Sequence, residues 1–300
     1  MHRILITLAA AGGLALSAPA EAQRRLGDLV FEPCTLTAPL SVLNVEAQCT
    51  RFEVPENPSD PAGRKIALAV AWVPTENSAG AEDPVFMIAG GPGQSALESY
   101  PGLHGAFREI RKNRHVILVD QRGTGGSNKL TCTTEDGEAG VVDDMAEDDP
   151  AAWRAFAERC RDELAQKADL TQYTTSIAIT DLDAVRQAIG VEQINLLGVS
   201  YGTRVAQQYM RRYPQHTRSV VLDSVVPNTL VLGAEHARNL EDALDLHFAQ
   251  CQQQPACAER FGSPREALNA LLSELREAPR AVRWRDSLSG EEKESELTAG

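Results

Sequence analysis

Ser200 stands at the centre of Gly198-Val199-Ser200-Tyr201-Gly202, a G-x-S-x-G pattern. A serine hydroxyl is a weak nucleophile until a base takes its proton and the backbone presents it clear of its neighbours. A strand that runs into a sharp turn and then a helix provides that presentation. The flanking glycines follow, because side chains two residues before and after such a turn would collide. The chemistry on offer is acyl transfer, in which the hydroxyl attacks a carbonyl and holds the acyl group covalently. The same five residues also suit a plain strand-to-helix turn with no chemistry.

The flanks favour the first reading. An apolar run from Ile194 to Val199 leads in, and Val205, Tyr209, Met210 and Tyr213 follow at helical spacing. A second loop, Gly90-Gly91-Pro92-Gly93-Gln94-Ser95, follows the wholly apolar run Val85 to Ala89. Its exposed backbone N–H groups suit an anion or a developing oxyanion. Phosphate is a poor fit, because the loop lacks G-x-x-x-x-G-K-[ST] and G-x-G-x-x-G. A third loop, Asp120-Gln121-Arg122-Gly123-Thr124-Gly125-Gly126-Ser127, follows the apolar run His115 to Val119. There an Asp120–Arg122 pair is expected to brace the glycine-rich turn.

The elements that must position these loops read as apolar strand, then helix, across residues 85–223. That pattern predicts a mostly parallel sheet with helices on both faces. Lys65 to Val73 alternates Ile66, Leu68, Val70 and Trp72, the period of a strand with one buried face. Ser219 to Asp223 reads as a further buried strand. Residues 23–60 read as irregular, with loops around Cys34 and Cys49. Residues 128–150 read as an acidic excursion whose run Asp143 to Asp149 is a solvated loop. Pro150 then opens a helix with Trp153, Phe156, Ala157, Cys160 and Leu164 on one face. Thr180-Asp181-Leu182-Asp183 reads as a capping box, and Leu182, Val185 and Ile189 form the face of a helix that stops at Gly190. Beyond Gly233, Leu240, Leu244, Phe248 and Cys251 predict one helix. Ser263-Pro264-Arg265-Glu266 opens another, faced by Leu268, Leu271, Leu272 and Leu275. Val282 to Trp284 and the Ser289-Gly290 turn start a hairpin.

The chain of 300 residues is 43% hydrophobic and carries a net charge of -13. It can bury a large core, and nothing in it suggests a nucleic-acid partner. His2 and Arg3 precede an apolar run from Ile4 to Leu16, and Ala20-Glu21-Ala22 offers a cleavage site, so residues 1–22 read as a secretory signal. The expected location is therefore secreted or periplasmic, with no membrane partner once the signal is removed. The six cysteines, Cys34, Cys49, Cys132, Cys160, Cys251 and Cys257, fit disulfides in an oxidising compartment. Neighbouring cysteines are expected to pair (34–49, 132–160, 251–257), since each pair brackets one local segment. With no C-x-x-C and no zinc-like spacing of His and Cys, neither a metal nor another cofactor is expected.

In this order the three loops resemble those of the α/β-hydrolase fold. More narrowly, Gly90-Gly91-Pro92-Gly93 together with Asp120 to Ser127 resembles the proline iminopeptidase and tripeptidyl aminopeptidase family of serine exopeptidases. The resemblance covers about residues 65–230. It implies that Ser200 is the nucleophile and that the backbone N–H groups of Gly91 and Tyr201 form the oxyanion hole. Ala89 departs from the histidine that the iminopeptidases carry, a change that leaves the backbone donors intact. The family's acid and base follow the serine as Asp, then His. After Ser200 this chain has only His216, His236 and His247. His216 is expected on the surface at a helix end, and the other two in a cap. Asp223, at a strand end, is the alternative acid. The triad Asp and His are therefore expected beyond Gly300, with the hairpin interrupted there.

The resulting expectation is a core over residues 23–228 and the start of a helical cap over residues 229–300. The expected activity is an exported serine aminopeptidase acting on peptide or small ester substrates. A carboxylesterase on the same fold is the first alternative. A non-catalytic binding protein is the second, should the chain end at residue 300. Oligomeric state is left open.

Overall fold

A computed structural model describes residues 23–39, 41–77, 83–132, 150–286 and 289–299. The expected signal sequence (residues 1–22) and the acidic run at 143–149 lie outside the described residues. Among the described residues ten strands are found: β1 (Arg24–Leu26), β2 (Leu29–Thr37), β3 (Asn44–Pro55), β4 (Lys65–Val73), β5 (Val85–Ile88), β6 (Val116–Val119), β7 (Ile194–Val199), β8 (Thr217–Asp223), β9 (Arg280–Arg285) and β10 (Glu292–Leu297). The helices are α1 (Ala96–Leu103), α2 (Arg108–Arg111), α3 (Pro150–Ala165), α4 (Thr175–Ala188), α5 (Tyr201–Arg212), α6 (His236–Gln253), α7 (Pro255–Phe261) and α8 (Pro264–Glu277).

Eight strands form one sheet in the order β1-β2-β3-β4-β6-β5-β7-β8. The β1 to β4 strands and the β4–β6 pair are antiparallel, whereas β6, β5, β7 and β8 run parallel. The all-apolar runs Val-Phe-Met-Ile of β5 and Val-Ile-Leu-Val of β6 are buried at every residue, as strands covered on both faces must be. Phe86 and Ile88 join the core beneath α4 and α5, with Ile179, Leu182, Val185, Val205 and Tyr209. Val85 and Met87 point the other way, into a second core with Ala96, Tyr100 and Phe107.

Several expectations are corrected. Residues 23–60 are not irregular: β2 and β3 form a long hairpin, registered from Glu32 opposite Cys49 to Thr37 opposite Asn44. Its alternation was present as Val45, Ala47 and Cys49, then broken in phase before Phe52 and Val54. The β4 strand is buried on both faces, because Ala71 and Val73 enter the second core while Ile66, Leu68, Val70 and Trp72 enter the first. The β8 strand is an edge, paired only with β7 among the described residues, and Val221 is 55% exposed. On α3 only Leu164 of the expected face is buried, and Trp153 is exposed.

The α4 helix begins at Thr175, five residues before the expected capping box. Thr180 instead donates to the Ile177 carbonyl at 2.6 Å within the helix, and Asp181 and Asp183 are buried in ion pairs. The helix does end at Gly190, whose φ is +75°. The α6 and α8 helices form where the apolar spacing placed them, although the Ser263 hydroxyl makes no cap hydrogen bond. The hairpin is complete by Leu297 and is not interrupted at Gly300. The three disulfides pair as expected: Cys34–Cys49 within the β2–β3 hairpin, Cys132–Cys160 onto α3, and Cys251–Cys257 between α6 and α7.

Candidate active site

The β7 strand delivers the chain to Ser200, and α5 starts at the next residue. Ser200 has φ 53° and ψ -119°, a conformation that an L-residue holds only under strain. The glycines around it are forced by backbone approach. A Cβ on Gly198 would lie 2.4 Å from the Gly202 carbonyl oxygen, and a Cβ on Gly202 would lie 2.3 Å from that of Ile88. The turn therefore packs tightly against the end of β5. Ser200 N–H donates to the Asp223 carbonyl at 2.9 Å. The Ser200 carbonyl accepts from Thr203 N–H at 2.9 Å and from the Thr203 hydroxyl at 2.6 Å.

The Gly90–Gly93 loop sits directly against this turn. A Cβ on Gly90 would lie 3.1 Å from Ser200 Cβ. Gly91 has φ +98° and Gly93 φ +108°, conformations open to glycine alone at little cost. The loop and the first turn of α5 thus bracket Ser200, with the positive end of the α5 dipole beside it. This arrangement can do one thing well: hold a hydroxyl against a carbonyl and meet the developing oxyanion with backbone donors.

Residues 83–255 match the alpha/beta hydrolase fold family. The chain belongs to that family. It is 29% identical over 254 residues to serine protease Hip1 of Mycobacterium tuberculosis, covering 79% of this chain and 48% of that protein. It is 32% identical over 192 residues to tripeptidyl aminopeptidase of Streptomyces lividans, covering 60% of this chain and 35% of that protein. To carboxylesterase B of Mycobacterium tuberculosis it is 33% identical over 226 residues, covering 70% and 43%. The chain spans about half the length of the curated relatives it matches, or less.

In this α/β hydrolase the loop after β6 is braced differently from the expectation. Asp120 and Arg122 do not pair. Asp120 accepts from the Ser95 hydroxyl at 2.7 Å, Leu97 N–H at 3.2 Å and Gly126 N–H at 2.8 Å. Arg122 turns away to make a two-pronged pair with Asp181 on α4, at 2.7 Å through both Nε and Nη2. It also donates to the Glu56 carbonyl at 2.6 Å and the Gln172 carbonyl at 3.1 Å. The two side chains fix the loop to different neighbours.

The histidines after Ser200 are not brought to it. His216 is half-buried, not on the surface, and its Nδ1 lies 2.9 Å from Asp183 Oδ1. Its ring stacks on Tyr213 at 5.7 Å. His236 and His247 lie on α6 and are exposed. Asp223 does meet Ser200, but through its main-chain carbonyl; its exposed carboxylate accepts from the Ser224 hydroxyl at 3.2 Å. Among the described residues there is no cluster of three or more His, Cys, Asp and Glu side chains that could hold a metal, and no helix is long and apolar enough to cross a membrane.

Thr203 escaped the sequence reading. It is fully buried, and its hydroxyl donates to the Ser200 carbonyl while accepting from Val226 N–H at 2.8 Å. Gln207 adds a donor to the Val226 carbonyl at 3.1 Å, and Arg204 one to the Leu230 carbonyl at 2.8 Å. One face of α5 therefore ties the turn at Ser200 to the segment after β8.

Proposed function

We propose that the protein is an exported serine aminopeptidase that releases short N-terminal peptides or single residues through an acyl-enzyme at Ser200. The observation that carries the reading is the strained Ser200 backbone, held between two glycines that no other residue could replace. Such strain survives only where the surroundings over-determine it. In the proposed reaction Ser200 Oγ attacks the carbonyl carbon and gives up its proton to a base. The C–N bond then breaks and the amine leaves with that proton. Water hydrolyses the resulting ester and frees Ser200. Gly91 and Tyr201 N–H groups receive the oxyanion, a contribution worth about 3–4 kcal/mol per donor in comparable sites. Two peptidases among the relatives support the amide substrate. Three disulfides support the export reading.

The test is covalent labelling of the full-length protein by a fluorophosphonate, with Ser200→Ala beside it. Label on Ser200, and hydrolysis of peptide anilides lost by more than a thousandfold in the variant, is expected on the scale of other serine hydrolases. Hydrolysis persisting within about tenfold of the parent would overturn the assignment. An esterase is the second reading, favoured by the likeness to carboxylesterase B. An unblocked peptide anilide cleaved far faster than its N-acetylated twin supports the aminopeptidase. Equal rates on both, with faster cleavage of simple esters, supports the esterase.

A further inference from the structure

A cavity of about 260 Å³ opens beside the Ser200 turn. Its walls come from the C-terminal ends of three neighbouring parallel strands: Pro92 and Gly93 after β5, Gln121 to Thr124 after β6, and Tyr201 after β7. The fourth wall is the start of α4, with Thr175 and Ala178, and Tyr173 just before it. The crevice outside the carboxyl ends of parallel strands is where open α/β sheets bind ligands. This one is walled by both segments that offer the oxyanion donors. A carbonyl whose oxygen sits between Gly91 and Tyr201 therefore has a substituent placed to enter it.

The lining is uncharged in effect. Among the described residues Arg122 is the one charged residue on it, and its guanidinium is fully committed to Asp181 and to the carbonyls of Glu56, Gln172 and Pro55. Among the described residues no carboxylate lines the cavity. The Tyr201 hydroxyl is hydrogen-bonded to the Thr175 hydroxyl, and the Tyr173 hydroxyl donates to Glu56 at 2.9 Å. The Tyr173 phenol is pushed up to about 12, first by burial and then by the bond to Glu56, so it stays neutral. What remains is neutral: the two tyrosine rings, Pro92, Leu130 and the Ala178 methyl, beside the uncharged polar side chains of Gln121, Thr124 and Thr174. A charged side chain placed here would be desolvated without a partner. A cavity of this size is also smaller than a drug-sized pocket and suits one side chain.

We infer that this cavity is the specificity pocket for the acyl side of the substrate, taking the compact, uncharged side chain next to the attacked carbonyl. The inference rests on Ser200 acting as the nucleophile, and it names what the proposed site selects. The acyl group is the part that stays through both chemical steps, so a pocket built on rigid strand ends retains it while the leaving group departs. A site for the free amine is expected elsewhere, because none of the described lining residues offers a carboxylate to neutralise an ammonium.

The experiment uses the full-length protein and a series of unblocked peptide anilides that differ only in the residue bearing the anilide: Ala, Leu, Asp or Lys. Ala and Leu are expected to exceed Asp and Lys in kcat/KM by at least tenfold. Ala178→Phe fills the cavity and should lower kcat/KM for Leu at least tenfold, while labelling of Ser200 by a small fluorophosphonate stays within about threefold. Ala178 is buried, so a second variant guards against misfolding. Half-buried Leu130→Glu places a carboxylate in the wall and should raise the Lys-to-Leu ratio at least tenfold. A flat series with Ser200 still labelled, or a Leu130→Glu variant with an unchanged ratio, would overturn the pocket while sparing the nucleophile. Loss of labelling in the parent would instead remove the proposed function beneath it.

Discussion

The Ser95 hydroxyl donates to Asp120 Oδ1 at 2.7 Å and accepts from Glu98 N–H at 3.0 Å. Ser95 caps α1, directly after the Gly90–Gly93 loop. Asp120 is 2% exposed and also receives Leu97 N–H and Gly126 N–H. One buried carboxylate therefore fastens the loop after β5 to the loop after β6. The fit leaves no slack, since a Cβ on Gly125 would lie 2.1 Å from Asp120 Oδ2.

Asp120→Ala would strand three donors away from water, and each buried unpaired group costs about 1–3 kcal/mol. Asp120→Asn keeps the shape but turns an N–H₂ group toward Ser95 or Gly126. Ser95 can answer by accepting, so the amide oxygen settles on Gly126 and Leu97 N–H alone loses its acceptor. The expected result is a small loss of stability for Asn and a large one for Ala in urea unfolding. In both, kcat/KM on peptide anilides should fall, because Asp120 fastens the two loops that carry the proposed oxyanion donor and line the proposed pocket. A change confined to the unfolding midpoint would show that Asp120 only holds the fold.

Gly202 and Gly93 separate two reasons for glycine. At Gly202 a methyl group would meet the Ile88 carbonyl oxygen at 2.3 Å, so the turn itself must open. Gly202→Ala should cost about 2–4 kcal/mol and abolish labelling of Ser200. At Gly93 nothing lies within 4 Å of such a methyl, and only φ +108° resists it. Gly93→Ala should cost about 1–3 kcal/mol, the range for a strained backbone conformation. Thermal unfolding of the two variants beside the parent checks the difference.

What could be read from residues alone depended on how far apart the partners lie. The buried strands β5, β6 and β7 were legible because each is a short apolar run ended by a glycine loop. The turn at Ser200 was legible because glycine is demanded at both flanks. β2 and β3 were missed, since a phase break between Cys49 and Phe52 hides the alternation of a strand that turns its faces midway. β8 looked buried because Val220, Val221 and Leu222 are apolar, and composition does not say that a strand will be an edge. Arg122 was assigned to Asp120, two positions away, whereas its partner Asp181 lies across the fold on α4. Thr203 carried no signal, because a buried hydroxyl that bridges two backbone groups has no spacing of its own.

The Arg122–Asp181 pair yields a third expectation. Both side chains are nearly excluded from solvent, at 1% and 6% exposure. Removing one partner of such a pair costs about 3–5 kcal/mol, mainly because the other charge stays buried alone. Asp181→Leu should therefore unfold at markedly lower urea than the parent. The double variant Asp181→Leu with Arg122→Met should lose less than the sum of the single losses, since it leaves no orphaned charge. Additive losses across the double-mutant cycle would mean that the two side chains act independently.

His115 makes the stability depend on pH. Its Nδ1 accepts from Thr75 N–H at 2.9 Å, and its ring meets the Trp72 edge at 5.1 Å. Burial, and then Arg24, push its pKa below the ordinary histidine value. His104 is lowered too, by burial and then by Arg111. A histidine depressed in the folded state binds fewer protons there than in the unfolded chain. Its stabilisation is therefore present above the unfolded value of about 6.5 and is lost as pH falls below it. At His115 the cause is also geometric, because a proton on Nδ1 would face the Thr75 N–H. The urea midpoint should thus fall steadily from pH 7.5 to pH 5. His115→Gln should start lower at pH 7.5, having lost the Trp72 contact, but decline less steeply on acidification. Adding His104→Gln should flatten the profile further. A His115→Gln profile that runs parallel to the parent's would show that this ring is not protonated across the range, and that the acid sensitivity lies elsewhere.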